Sequence, residues 1–266
     1  MNAIPQQLQV PILMGPPRAA IKRDADGVLH VVALSGGKDS AAMALELRQR
    51  HPETPFLYLC TPTGDELPDM FAHWARLGQI LGSRVWELSK GESLHTLIER
   101  WNALPNWRQR WCTRMLKIDP YSEWLQLQVV HGPARSYVGL RADEEEREGG
   151  DYTAIPNVEM VFPMRGWGWG LQDVLDSLDR QGVTIPRRTD CARCYHQTLH
   201  EWWLLWRDHP DLYADAEQQE AATGHTFRSP SRDTRPAALA DLRREFENGF
   251  TPKKRRRATA CRVCTL

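Results

Sequence analysis

Leu29-His30-Val31-Val32-Ala33-Leu34-Ser35-Gly36-Gly37-Lys38-Asp39-Ser40-Ala41-Ala42-Met43-Ala44-Leu45 is the stretch that decides the fold. Leu29 to Leu34 is a short, apolar, partly β-branched run of the kind that forms a buried strand. Ala41 to Arg48 is rich in good helix formers. The glycines therefore fall between a strand and the first turn of a helix. The first helical N–H groups have no partner inside the helix, and the helix dipole adds partial positive charge, so an anion is favoured there. Gly36 and Gly37 let the backbone turn tightly and approach phosphate oxygens. Ser35 and Ser40 add hydroxyl donors, and Lys38 adds a mobile charge. The spacing is not that of a Walker A loop, Gly-x-x-x-x-Gly-Lys-Ser/Thr.

Working outward, the same alternation repeats. Phe56 to Cys60 reads as a second buried strand, and it runs into the polar segment Thr61-Pro62-Thr63-Gly64-Asp65-Glu66-Leu67-Pro68. Asp69 to Leu81 has helical spacing, Arg84 to Leu88 is a third strand, Glu92 to Arg100 a helix, Lys117 to Gln128 another, and Ser136 to Leu140 a fourth strand. Strands alternating with helices predict an α/β fold with a doubly wound, mostly parallel sheet, and in such sheets ligands bind beyond the strands' C-terminal ends. After Gly149-Gly150 the pattern changes to a short apolar segment, Val161 to Met164, and then mainly to helices, expected at 171–180, 198–207, 211–223 and 237–248. The expected organisation is an irregular arm over 1–26, an α/β nucleotide-binding domain over 27–160, a helical region with a Cys-x-x-Cys loop over 161–250, and a basic tail with a second Cys-x-x-Cys over 251–266.

The 266 residues carry 34 basic and 34 acidic side chains, so the whole-molecule field does not argue for a nucleic-acid partner. The basic run Lys253 to Arg257 reads either as a solvated tail or as a contact for a phosphate backbone. No apolar run reaches the length of a membrane span and no signal-peptide pattern opens the sequence, so the expected setting is cytoplasmic, without a membrane partner. Six cysteines, four of them in two Cys-x-x-Cys pairs, point to metal or redox use rather than a secreted disulfide framework. Cys60, inside a strand, reads as a small core residue. Cys112 lies in a Trp- and Arg-rich stretch, Trp107 to Arg114, whose charges are expected to favour its thiolate.

Several blocks in order resemble one family. Ser35-Gly36-Gly37-Lys38-Asp39-Ser40 looks like the SGGxDS "PP-loop" of N-type ATP pyrophosphatases. Thr63 to Pro68 is similar to a DTGxExP block, with Pro62 where Asp is usual. Arg110 to Pro120 is similar to a CCxxxKxxP block with one cysteine instead of two, and Gly139-Leu140-Arg141-Ala142-Asp143-Glu144 to GxRxDE. Pro163 with Trp167 or Trp169 and Asp173-Val174 is similar to a P…W…DV block. Together these resemble the phosphoadenylyl-sulfate (PAPS) reductase family of the adenine-nucleotide α-hydrolase superfamily.

The resemblance implies a Rossmann-like sheet with ATP and Mg²⁺ over the strand ends. Its phosphates would lie on Ser35 to Ser40, and Gly64, Asp65, Glu66, Gly139 and Arg141 would form the facing wall. Lys38, Asp39 and Arg141 would be the catalytic residues, Asp39 orienting the loop or helping to hold Mg²⁺. The implied reaction is adenylation of an acceptor, ATP going to AMP and pyrophosphate, followed by transfer from a sulfur donor, with nucleic acid a candidate acceptor. The implied metal site is a 4Fe–4S cluster on Cys112, Cys191, Cys194 and Cys264 or Cys261, or on three thiolates that leave one iron open to bind sulfur. A zinc site on Cys191, Cys194, Cys261 and Cys264 is the competing reading, and free buried thiols the third. The intact loop, and a tail reading Ala260-Cys261-Arg262-Val263-Cys264 where reductases carry Glu-Cys-Gly-Leu-His, favour ATP-consuming chemistry. They do so over the alternatives, a sulfonucleotide reductase or a nucleotide-binding module without turnover.

Overall fold

The structure, a computed structural model, describes residues 13–147, 152 and 154–253. Its centre is a parallel sheet of five strands, β1 (Leu29–Ala33), β2 (Phe56–Cys60), β3 (Val85–Glu87), β4 (Ala134–Tyr137) and β5 (Val158–Val161), in the order β3-β2-β1-β4-β5. The chain first winds outward from β1 to β2 and β3, then returns to the other side of β1. The order therefore reverses between β1 and β4, and in open α/β sheets the ligand crevice lies at such a reversal, beyond the strands' C-terminal ends.

The helices are α1 (Lys38–Arg50), α2 (Pro68–Leu81), α3 (Leu94–Trp101), a single turn α4 (Trp111–Thr113), α5 (Asp119–Val129), α6 (Pro163–Gly166), α7 (Leu171–Arg180), α8 (Leu199–Asp208), α9 (Pro210–Thr223) and α10 (Leu239–Glu247). Arg114–Ile118, between α4 and α5, is wound as a π-helix. No helix among the described residues is long and apolar enough to cross a membrane.

Alternation along the strands makes two cores. Leu29, Val31 and Ala33 face Tyr121, Trp124 and Leu125 of α5, while Val32 and Leu34 join α1, α2 and α7 on the opposite face. A third core lies outside the sheet, where α3, α8, α9 and α10 bury Leu97, Trp202, Tyr213 and Phe246 together. Trp202 is fully enclosed, so its truncation to Ala would cost about 3–5 kcal/mol.

Two elements differ from the sequence expectation. The fourth strand is Ala134–Tyr137, and Val138 to Arg141 instead forms the loop beyond it. The apolar segment near residue 161 is β5, paired with β4 from Ala134↔Val158 to Tyr137↔Val161. The sheet therefore crosses the 160/161 boundary expected from the change in composition, and α7 packs on α1 as part of the same layer. A half-exposed edge strand carries little alternation, and that is why the pattern missed it. The tail cysteines Cys261 and Cys264 and the basic residues 254–257 lie outside the described residues.

Glu220 ties α9 to α10. Its carboxylate accepts the backbone N–H of Phe227 at 2.8 Å and of Leu239 at 2.6 Å. Burial outweighs these two donors and pushes its pKa up to about 7. A carboxyl with a raised folded-state pKa contributes stability below its unfolded value of 4.5, and that contribution is lost as pH rises through about 7. The size is roughly 3 kcal/mol. The melting temperature of the parent should therefore drop between pH 5 and pH 8 by several degrees more than that of Glu220→Gln, which cannot ionise. Parallel curves for the two proteins would contradict this account.

Candidate functional site

The crevice at the sheet reversal is built from two loops. The first leaves β1 and enters α1 through Ser35, Gly36 and Gly37, and Gly37 is the N-cap of α1. Gly36 sits at φ +83°, and a Cβ there would meet the Trp74 indole nitrogen at 2.6 Å, so no other residue fits without a shift. Ser35 and Ser40 hydroxyls lie 3.0 Å apart across the loop. The second loop leaves β4 through Gly139. A Cβ on Gly139 would stand 3.0–3.2 Å from the backbone of Ser40 and Asp39, so this glycine lets the β4 loop press against the first turn of α1.

A buried ion pair joins the loops. Arg141 donates through Nη1 to Asp39 Oδ1 at 2.9 Å and through Nε to Asp143 Oδ1 at 2.7 Å, and Glu144 lies 3.6 Å from Nη2. Asp39 receives Lys38 Nζ on its other oxygen at 2.5 Å. The sequence placed Lys38 and Asp39 both at the loop surface. Lys38 is indeed partly exposed, but Asp39 is buried and both its oxygens are engaged. The carboxylates around Arg141 hold its pKa above the ordinary value in spite of burial, so the guanidinium is a fixed cation at the crevice.

α2 supplies residues the sequence reading missed. His73 Nε2 donates to Gly36 O at 3.0 Å, and Trp74 Nε1 donates to Ser35 O at 3.2 Å. Arg76 donates to His73 Nδ1, which assigns the proton to Nε2, and burial holds the His73 pKa below its usual value. Two loop carbonyls are thus held on α2. The available signal was a His-Trp pair on the buried stripe of an amphipathic helix, which apolar periodicity alone does not register.

The wall expected from Gly64, Asp65 and Glu66 has its own partners. Glu66 accepts from Thr63 N–H at 2.7 Å, Thr63 Oγ1 at 2.8 Å and Asp65 N–H at 3.2 Å, stapling its own loop. Gly64 closes against Ser93, the N-cap of α3. Asp65 turns to the cysteine loop, where both its oxygens receive the Arg193 guanidinium and its carbonyl accepts Ala192 N–H at 2.7 Å. Glu66 and Cys191 form an antiparallel bridge beside it. Arg193 also reaches His95 Nδ1 at 3.2 Å. A buried arginine inside a Cys-x-x-Cys loop was the missed signal here.

These links bring three cysteines together. Cys191 and Cys194 hydrogen bond to each other, and each is an electrostatic neighbour of Cys112. The hydrogen bond with Cys194, then burial, pushes the Cys191 thiol well up, and burial, then Cys194, pushes Cys112 up. This corrects the expectation that arginines would favour the Cys112 thiolate: burial and a neighbouring thiol outweigh them. Cys60 is buried within the sheet, as a core residue. Among the described residues no three His, Cys, Asp or Glu side chains form a ready-made metal-binding group. The thiols are neighbours, not yet arranged as ligands.

No family model matches the chain, and no curated protein does. Solved structures do. The PAPS reductase of Candida auris, in a phosphate complex, is similar with a TM-score of 0.44 and 12% identity over 60% of this chain and 74% of that one. The U34-tRNA thiolase NcsA of Methanococcus maripaludis, with its [4Fe-4S] cluster, is similar with a TM-score of 0.44 and 15% identity over 85% of this chain and 82% of that one.

Gly139→Ala should force β4 and α1 apart and cost about 1–3 kcal/mol, because the atoms its Cβ meets are backbone. The loss should be read as a lowered melting temperature by calorimetry. A variant with parental melting would show that the close approach is dispensable.

Proposed function

We propose that the protein is an ATP pyrophosphatase of the PP-loop type that adenylates an acceptor for sulfur transfer. The observation that carries this reading is the Ser35–Ser40 loop at the head of α1, pinned on one side by Asp39–Arg141 and on the other by His73 and Trp74. Such a loop offers N–H donors, hydroxyls and one mobile lysine to a polyphosphate, at the sheet position where α/β folds bind ligands.

In this reading Lys38 leaves Asp39 and takes up the β- and γ-phosphates, while Asp39 stays with Arg141 and keeps the loop rigid. Mg²⁺ would come with the nucleotide and would neutralise phosphate charge, with few ligands asked of the protein. An acceptor oxygen attacks the α-phosphorus in line. The bond to the bridging oxygen of pyrophosphate breaks, and the acceptor leaves carrying AMP. Arg141 faces the charge that develops on the phosphate, so the protein's work is positioning and neutralisation.

The donor set around the cysteine loop fits an iron–sulfur group. Cys112, Cys191 and Cys194 are soft thiol ligands already near one another, and Cys264 or Cys261 would be a fourth. Held on three thiolates alone, such a group would supply an iron open to sulfur; a fourth thiolate would close that position. The raised thiol pKa values mean that ligation must displace protons, so uptake should strengthen as pH rises. The meeting of Cys112 with the Cys191–Cys194 pair supports this reading over a zinc site that needs only the two Cys-x-x-Cys pairs.

Two measurements test the proposal. Lys38→Ala removes a partly exposed side chain without uncovering a buried charge, so the variant should melt like the parent. Its release of pyrophosphate from ATP should fall about 100-fold or more. Parental turnover would end the loop assignment. Asp39→Ala is not equivalent: it removes one buried carboxylate partner of Arg141, leaving Asp143 and Glu144, and should destabilise the fold by about 1–3 kcal/mol.

For the metal, anaerobic reconstitution with iron and sulfide should give broad visible absorbance. Cys112→Ser should lose that absorbance, and a Cys261→Ser/Cys264→Ser double variant should keep most of it. A colourless parent that binds zinc, lost only in the double variant, would establish the zinc site instead.

A further inference from the structure

Between Glu99 and Asp119 the sequence holds no carboxylate, but it holds Arg100, Arg108, Arg110, Arg114 and Lys117. In a chain of zero formal net charge this is a local concentration of one sign. The structure turns part of it outward on a rigid support. Asn106 accepts the backbone N–H of Arg108 and of Gln109 on its side-chain oxygen, both at 3.0 Å, and its own N–H and carbonyl pair with Gln109. This is an Asx-type turn, closed at both ends. At its tip Trp107 is 64% exposed, and the Arg108 guanidinium lies over its ring at 4.7 Å.

Trp111, the first residue of α4, meets the half-exposed Trp101 edge-to-face at 4.9 Å, which fixes the base of the turn. Arg114 follows, with its side chain 79% exposed and Asp119 no closer than 3.7 Å. Here the backbone widens into the π-helix, a geometry frequent at functional sites. Cys112 lies between, partly buried and directed to the cysteine loop.

We propose that the 106–109 turn and the helix start after it bind single-stranded nucleic acid, a base stacking on Trp107 and the phosphates meeting Arg108 and Arg114. An exposed aromatic ring with one cation against it and a second exposed cation later in the same segment is what a single strand recognises: every base has a π-face, and the backbone supplies a charge per nucleotide. A duplex offers no free base face to Trp107. An acidic peptide offers charge but no planar face to stack. The surface adjoins Cys112, so the inference deepens the function proposed above by naming the acceptor class. It rests on that reading for the chemistry and stands apart from it for the binding. It also differs from contact through the basic tail.

The test uses the full chain and fluorescein-labelled single strands of RNA and DNA, about 16 nucleotides long, with the matching duplex and polyglutamate as competitors. Trp107→Ala should weaken single-strand binding about 10-fold and Trp107→Phe should restore most of it, because stacking is worth 1–3 kcal/mol per base. Arg108→Gln with Arg114→Gln should flatten the slope of log affinity against log salt by about one. In the parent, ultraviolet crosslinking should fall in the tryptic peptide 101–108, a readout that needs no variant to fold.

Parental affinity and slope in these variants, crosslinks confined to the basic tail, or polyglutamate competing as well as the strand would each overturn the proposal. Pyrophosphate release is followed in parallel. A parent that cleaves ATP but shows none of these binding effects refutes the surface alone. A parent that binds through Trp107 but never cleaves ATP refutes the catalytic reading alone.

Discussion

The pairing of Asp39 with Arg141 is the constraint on which the rest of the site depends. It joins the first turn of α1 to the loop after β4, across the point where the strand order reverses. Both groups are buried, so neither tolerates the loss of the other, and the pair fixes the width of the crevice. Gly139 allows the approach and the pair holds it. His73 and Trp74 then settle the remaining freedom by drawing two loop carbonyls onto α2. Of the charged groups of the loop, Lys38 alone keeps partial exposure, while Asp39 is buried.

A second buried pair, Asp65 with Arg193, extends this rigidity to the cysteines. It binds the loop after β2 to the Cys191–Cys194 turn, with the Glu66–Cys191 bridge alongside. The loop after β2 and the cysteine turn are thereby one packed unit, closed behind by α3 and α8. An activated acceptor and a sulfur-bearing group would need that proximity, because an adenylated intermediate left in water hydrolyses. The cationic turn at Trp107 stands at the outer margin of the same unit, joined to it through α4.

Much of this was legible in the residues. The strand–glycine–helix pattern located the loop, and the alternation of strands and helices gave the parallel sheet. Cys112 was singled out with Cys191 and Cys194, and the fold makes the three electrostatic neighbours without arranging them as a metal-binding group. The C-terminal helices were found within one or two residues because their apolar spacing is strong, as in Leu199–Asp208 and Pro210–Thr223. β5 was not found, since an edge strand half open to solvent shows weak alternation. Asp39 was read as orienting the loop or helping to hold Mg²⁺, and Asp65 as part of the facing wall; the arginine partner of each was not read.

The sequence by itself determined the elements and the loop, because strand, helix and turn preferences act over a few neighbouring residues. It could not decide which charge neutralises which. Asp39 and Arg141 are 102 residues apart in the chain, and Asp65 and Arg193 are 128 apart. No spacing rule links such positions; only the winding of β4 back beside β1, and of the cysteine loop onto β2's end, brings them together. The same holds for the thiols, whose protonation follows from burial and mutual contact rather than from the arginines beside Cys112 in sequence. Local propensity writes the list of parts, and desolvation of charged groups in the folded interior selects their partners.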